Sequence, residues 1–141
     1  MTSFSAHCCI ALVLVGELAG CSAPTPIGKI AGKVTLDGNP LGPVNVMFEG
    51  AGTGVNIGAK TDAEGNFKIK TATTDGLPPG TYAVSVQEVY VELPLGPVRP
   101  EDAEKFKKLP FPDFYRSGTT SPIKVEIKEG DNNVVVAVKS T

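Results

Sequence analysis

The sequence is poor in the residues on which most enzyme sites depend. It has no Trp, a single His and three Cys, which are His7, Cys8, Cys9 and Cys21. Residues 22–141 therefore contain no imidazole and no thiol, which excludes Ser-His-Asp and Cys-His nucleophilic sites, His- or Cys-ligated metals and disulfides there. Only carboxylate, Lys, Tyr or Ser chemistry, or a cation held by oxygen ligands, stays open. We predict no catalytic residue, no metal site and no cofactor.

A marked excess of charge and a long apolar run are also absent. The chain carries 13 Lys and Arg against 15 Asp and Glu, a formal net charge of −2. No basic patch interleaved with aromatics indicates a nucleic-acid surface, so we predict no nucleic-acid partner. The longest apolar run, Cys8 to Gly16, is far shorter than the roughly 20 residues that a membrane-spanning helix needs.

That apolar run precedes a short motif, Leu18-Ala19-Gly20-Cys21. The segment resembles a bacterial lipoprotein signal, in which the peptide is cut between Gly20 and Cys21 and the cysteine thiol carries a diacylglyceryl group. The resemblance implies a signal peptide over 1–20, followed by a lipidated cysteine and tether over 21–28. Acyl chains such as palmitate would then hold the chain at a membrane of the cell envelope, on the periplasmic face or at the outer membrane.

The alternative is an N-terminus with an incidental cysteine. Residues 1–7 contain no Lys or Arg, and Glu17 stands just before the motif, where an acid is unhelpful. We favour the lipoprotein interpretation because the segment resembles no globular element.

From Lys29 onward the pattern is typical of an all-β domain. Gly and Pro, of which the full chain has 16 and 12, separate short β-branched runs, which is characteristic of an antiparallel sandwich. Val44, Val46 and Phe48 share one face and alternate with Asn45, Met47 and Glu49, as in a half-buried strand. The run Val134 to Val138 is apolar on both faces and predicts a central strand. The count is about seven strands.

Three motifs carry a family resemblance: Gly32-Lys33-Val34 with Asp37-Gly38, Thr61-Asp62 with Gly65-Asn66-Phe67, and Leu77 to Tyr82. Together they resemble the carboxypeptidase regulatory-like domain. The resemblance implies a single Greek-key, transthyretin-like or Ig-like sandwich over 29–141, with an insertion loop at 90–121. Such domains are usually non-catalytic accessory or structural modules. We therefore expect a structural or protein-binding role in the envelope.

The insertion loop is the candidate binding region, because connections longer than about 12 to 15 residues are often functional. Aromatic rings beside cations could form a platform for a glycan or a peptide. An accessory carbohydrate- or peptide-binding module is thus the alternative function. The same aromatics could instead pack as a satellite core. The candidate residues are Tyr90, Arg99, Phe111, Phe114, Tyr115 and Arg116.

The Asp62-Ala63-Glu64-Gly65-Asn66 turn offers two interpretations. Its oxygens could be calcium ligands, but a calcium site needs six to eight oxygens and the distal glutamate of an EF-hand is missing. We expect Asp62 and Gly65 to serve turn geometry.

Overall fold

The computed structural model describes residue 20 and residues 22–89, 100 and 108–141. The signal-peptide prediction for 1–20, apart from Gly20, falls outside these residues, as do the predictions for Cys21, Tyr90 and Arg99. None of the described helical segments is long and apolar enough to cross a membrane.

The described residues include eight β-strands and a short 3-10 helix at Asp113–Arg116. The prediction of an all-β sandwich is confirmed. The strand beyond the expected seven is Asn39–Pro40, a two-residue extension of a turn. The strands are β1 (Gly28–Leu36), β2 (Asn39–Pro40), β3 (Val44–Gly50), β4 (Asn56–Lys60), β5 (Asn66–Lys68), β6 (Gly80–Glu88), β7 (Lys124–Ile127) and β8 (Gly130–Val138).

Two four-stranded sheets make up the sandwich. In the first, β1 pairs with β2 and β5 along one edge and with β8 along the other; the second has the order β4-β3-β6-β7. Alternate residues of the longer strands point between the sheets, as the two-residue period requires. The buried hydrophobic core consists of Ile30, Val34, Val44, Val46, Phe48, Phe67, Ile69, Leu77, Tyr82, Val84, Val86, Phe111, Tyr115, Ile127, Val134, Val136 and Val138.

Gly32 lies on the inward face of β1 where Phe67 crosses it. A side chain at Gly32 would collide with the Phe67 ring and with the Val134 carbonyl of the neighbouring strand. Glycine is therefore needed here for close packing, and Phe67 fills the space that a larger residue would take.

One strand pair differs from the antiparallel expectation. β8 runs parallel to β1 over its full length, from Gly28 beside Gly130 to Leu36 beside Val138. The prediction that Val134 to Val138 form a central strand is wrong. Within the described part of the chain, β8 pairs with β1 alone and occupies the edge of its sheet. Its outward residue Val135 is 65% exposed.

The second sheet ends at β7, and the chain before β7 continues along the same edge of β6. Gln87 donates to the Arg116 carbonyl, Ser121 donates to the Val84 carbonyl, and β7 then pairs with Ala83 to Gly80. Residues 108–123 thus follow β6 from its C-terminal end toward its start, which fixes the described half of the candidate loop against the sandwich.

Candidate functional site

Two of the predicted loop aromatics belong to the core. Phe111 is 5% exposed and Tyr115 is 7% exposed. Their rings meet edge to face, with centroids 6.2 Å apart and planes at 83°, a favourable arrangement for an aromatic pair. Both rings are covered by protein, so neither offers a face on which a ligand could stack.

Arg116 joins the loop to the end of β6. Its Nε donates to both carboxylate oxygens of Glu88, at 3.1 and 3.0 Å, and its Nη2 also contacts Oε1. Nη1 donates to the Phe111 carbonyl at 2.8 Å and Nη2 to the Leu109 carbonyl at 3.1 Å. The guanidinium carbon lies 4.3 Å from the Phe111 ring centroid, a cation–π contact.

We call this cluster of Arg116, Glu88, Leu109 and Phe111 the Arg116 clasp. The Leu109 N–H completes it by donating to Glu88 Oε1 at 3.0 Å. The hydrogen bonds from Arg116 lower the pKa of Glu88 from 4.5 to about 2, and the same bonds raise the pKa of Arg116. The N–H groups of Arg116 donate to partners inside the fold, and its guanidinium lies over the Phe111 ring. Arg116 therefore has a structural role, for which a planar guanidinium is suited.

Phe114 is the exception among the described loop aromatics. It is 43% exposed, and its ring centroid lies 4.5 Å from that of Tyr115 at a tilt of 42°. Beside it, Lys108 pairs with Asp113 at 2.6 Å, and the hydrogen bond from Lys108 lowers the pKa of Asp113. An open groove of about 600 Å³ lies beside this ion pair, without Phe114 in its wall, and is lined by Lys108, Leu109, Pro110, Phe111, Pro112, Asp113 and Ser140.

The turn at Asp62 has the geometry of a structural turn. Asp62 Oδ1 accepts from the Glu64 N–H at 3.0 Å and from the Asn66 N–H at 2.8 Å, and the Asn66 side chain bonds both carboxylate oxygens. These bonds, led by the one from the Asn66 backbone, lower the pKa of Asp62. Gly65 has a φ of 81°, which glycine adopts without strain. Nowhere in the described ranges do three or more His, Cys, Asp or Glu residues gather as a metal site would require.

Sequence reasoning missed two features. Glu88, the partner of Arg116, lies 28 positions earlier, and no local pattern links the two. The outer face of the first sheet also carries a shallow groove of about 890 Å³. Lys33, Lys60 and Lys68 line this groove together with Asn133 and Val135. These residues come from separate parts of the sequence, and only the strand order brings their side chains together.

Comparison with known proteins gives no family assignment. No protein-family model and no curated protein matches the chain. Among solved structures it is similar to a DUF3823 family protein from Parabacteroides merdae, with a TM-score of 0.49 and 17% identity. That alignment covers 82% of this chain and 47% of the other, so the chain spans about half the length of the protein it matches.

Proposed function

We propose that the protein is a lipid-anchored, non-catalytic β-sandwich of the cell envelope with a structural or protein-binding role. The proposed anchor is Cys21, and β1 begins at Gly28. Residues 22–27 reach at most about 20 Å when fully extended. An acylated Cys21 would therefore hold the sandwich close to a membrane surface, with the start of β1 as its point of attachment.

The observation that carries the non-catalytic role is that described carboxylates are engaged in hydrogen bonds and ion pairs inside the fold. Wherever the pKa of a described carboxylate is shifted, it is lowered, and in each case a hydrogen bond inside the fold is the main cause. A general acid at neutral pH needs the opposite shift, and a nucleophile needs an adjacent base that residues 22–141 cannot supply as His. These carboxylates are Asp37 with Ser140, Asp62 with Asn66, Glu88 with Arg116 and Asp113 with Lys108.

Metabolic labelling with a clickable fatty acid tests the anchor. Cells producing the wild-type chain should incorporate label into it and retain it in the membrane fraction, whereas Cys21→Ala should lose both. Cys9→Ala is the matched control, because it removes a cysteine from the predicted signal and leaves the predicted attachment site. Equal labelling of the wild type and Cys21→Ala would overturn the proposal.

The second candidate is an accessory module that binds carbohydrate or peptide through the 90–121 loop. The exposure of Phe114 supports it, because an exposed ring backed by a buried one is the form that a stacking platform takes. Glycan-array and cell-wall pull-down assays with wild type and Phe114→Ala test this candidate. Selective loss of a ligand by a folded Phe114→Ala variant supports it, while identical profiles reject it.

A further inference from the structure

The open edge of β8 lacks the devices that usually protect an edge strand. β8 has nine residues, and no described strand pairs with its second edge. Its stretch from Asn132 to Val138 contains no charge, no Pro and no Gly. Exposed edges are commonly blocked by Lys, Pro or a bulge. A long, regular edge that carries no charge between its two ends is suited to pairing with another strand.

The hydrogen bonds to β1 show which residues of β8 face that edge. The Gly130 N–H donates to the Ile27 carbonyl at 3.1 Å, and the Val138 carbonyl accepts from the Asp37 N–H at 3.0 Å. Even-numbered residues therefore direct their backbone groups to β1. Because the direction alternates along a strand, the N–H and C=O groups of the odd-numbered residues 131–137 point to the open edge.

The charges at the two ends of the strand favour one particular partner, a second β8. Asp131 lies near its start and Lys139 just after its end, and both are exposed. When two copies of β8 run antiparallel with Val135 facing the partner's Val135, Asp131 faces the partner's Lys139 at both ends. In this register every odd-numbered residue faces an odd-numbered residue of the partner, so the edge-directed backbone groups of the two strands are opposite each other.

We infer that two copies of this chain associate through antiparallel pairing of their β8 edges, centred on Val135. The two first sheets become one continuous sheet, and the two exposed Val135 side chains cover each other. Opposite charges facing across a strand pair stabilise it, and each copy contributes one such charge to each end.

The pairing is compatible with the proposed lipid anchor. Only this argument about membrane geometry rests on the proposed function. The two β1 strands start at opposite ends of the joint sheet, about 30 Å apart for strands of nine residues. Tethers of residues 22–27 reach about 20 Å each. Both anchors therefore enter one membrane when the strands lie along its surface.

Cysteine cross-linking tests the register. In the whole chain with Cys8, Cys9 and Cys21 changed to Ser, Val135→Cys supplies the only thiol. Facing residues with edge-directed groups have Cα atoms about 5.5 Å apart, within reach of a disulfide. We expect Val135→Cys to form a linked dimer on mild oxidation or with a short thiol-specific cross-linker.

Two further variants are the matched controls. In this register residue 133 faces residue 137 of the partner. Asn133→Cys and Ala137→Cys should therefore not cross-link when each is alone, but an equimolar mixture of the two variants should. A Val135→Cys chain that stays monomeric overturns the inference, including the case in which another segment of this chain covers the edge. Equal cross-linking by all three single variants indicates random collision and overturns it too.

Sedimentation equilibrium with charge variants gives an independent measurement. Asp131→Lys and Lys139→Asp should each raise the dimer dissociation constant about tenfold by placing like charges opposite each other. Mixing the two variants should restore association. Within its own chain Asp131 lies beside Lys29, and Lys139 lowers the pKa of nearby Asp37. Effects inside one chain cannot be rescued by mixing, so absence of rescue contradicts the inference.

Discussion

Changing Glu88 to Gln is the sharpest test of the Arg116 clasp. The amide keeps the size of the side chain but removes its charge. All three hydrogen bonds from Arg116 to Glu88 then lose their charge assistance, and the Leu109 N–H keeps a neutral acceptor. A hydrogen bond to a charged group contributes more than a neutral one, by roughly a factor of two. The variant should therefore be less stable than the wild type at neutral pH.

The shift in pKa gives the size of the effect. Lowering the pKa of Glu88 from 4.5 to about 2 corresponds to an upper limit of about 3 kcal/mol. The Glu88 side chain is 34% exposed, so solvent screening reduces the expected contribution to about 1–2 kcal/mol. Because the folded pKa is the lower one, this stability is present above pH 4.5 and is lost as the pH falls toward 2.

Urea unfolding followed by far-ultraviolet circular dichroism measures the difference at pH 6.5 and pH 2.5. We expect Glu88→Gln to be less stable than the wild type by about 1–2 kcal/mol at the higher pH and by much less at the lower. Glu126→Gln, on the exposed face of β7, is the matched control and should differ from the wild type by less than about 0.5 kcal/mol at both. A gap between Glu88→Gln and the wild type that is the same at both pH values would refute the reasoning.

Three further predictions concern packing and turns. Gly32→Ala should lower the free energy of unfolding by about 1–3 kcal/mol, because the new methyl meets the Phe67 ring and the backbone of β8; unchanged urea stability would contradict this contact. Phe111→Ala should cost about 3–5 kcal/mol and Phe114→Ala less than about 1 kcal/mol, since one ring is buried and the other exposed. Equal losses for the two variants would mean that their packing has been assigned incorrectly. Asp62→Ala should lower the melting temperature by freeing two backbone N–H groups, and calcium should leave the melting temperature of wild type and variant unchanged. A calcium-induced rise in the wild type alone would restore the ligand interpretation of the turn.

Local pattern predicted the individual strands well. Val44, Val46 and Phe48 occupy alternate positions on one face of a strand, and all three are fully buried. The turn at Asp62 was also predictable from the sequence, because an Asx hydrogen bond and a glycine in the left-handed region involve residues only a few positions apart. Such features depend on short-range sterics and on a two-residue period, which a single sequence contains.

Long-range pairing could not be read in the same way. Val134 to Val138 gave the apolar pattern of a central strand, yet β8 lies at an edge of the described sheet. Composition does not tell whether an apolar outer face is covered by the same chain or by another molecule. The Arg116 clasp was missed for a related reason. In the sequence, an arginine near aromatic residues is consistent with a binding platform and equally with a structural contact. The two are distinguished only when its carboxylate partner is located.

Mass spectrometry of the N-terminal peptide from membrane-extracted protein tests the central claim most directly. The account predicts that the peptide begins at Cys21 and carries the added mass of a diacylglyceryl group with its acyl chains. A peptide that begins at Met1, with the sulfur of Cys21 unmodified, would contradict the account.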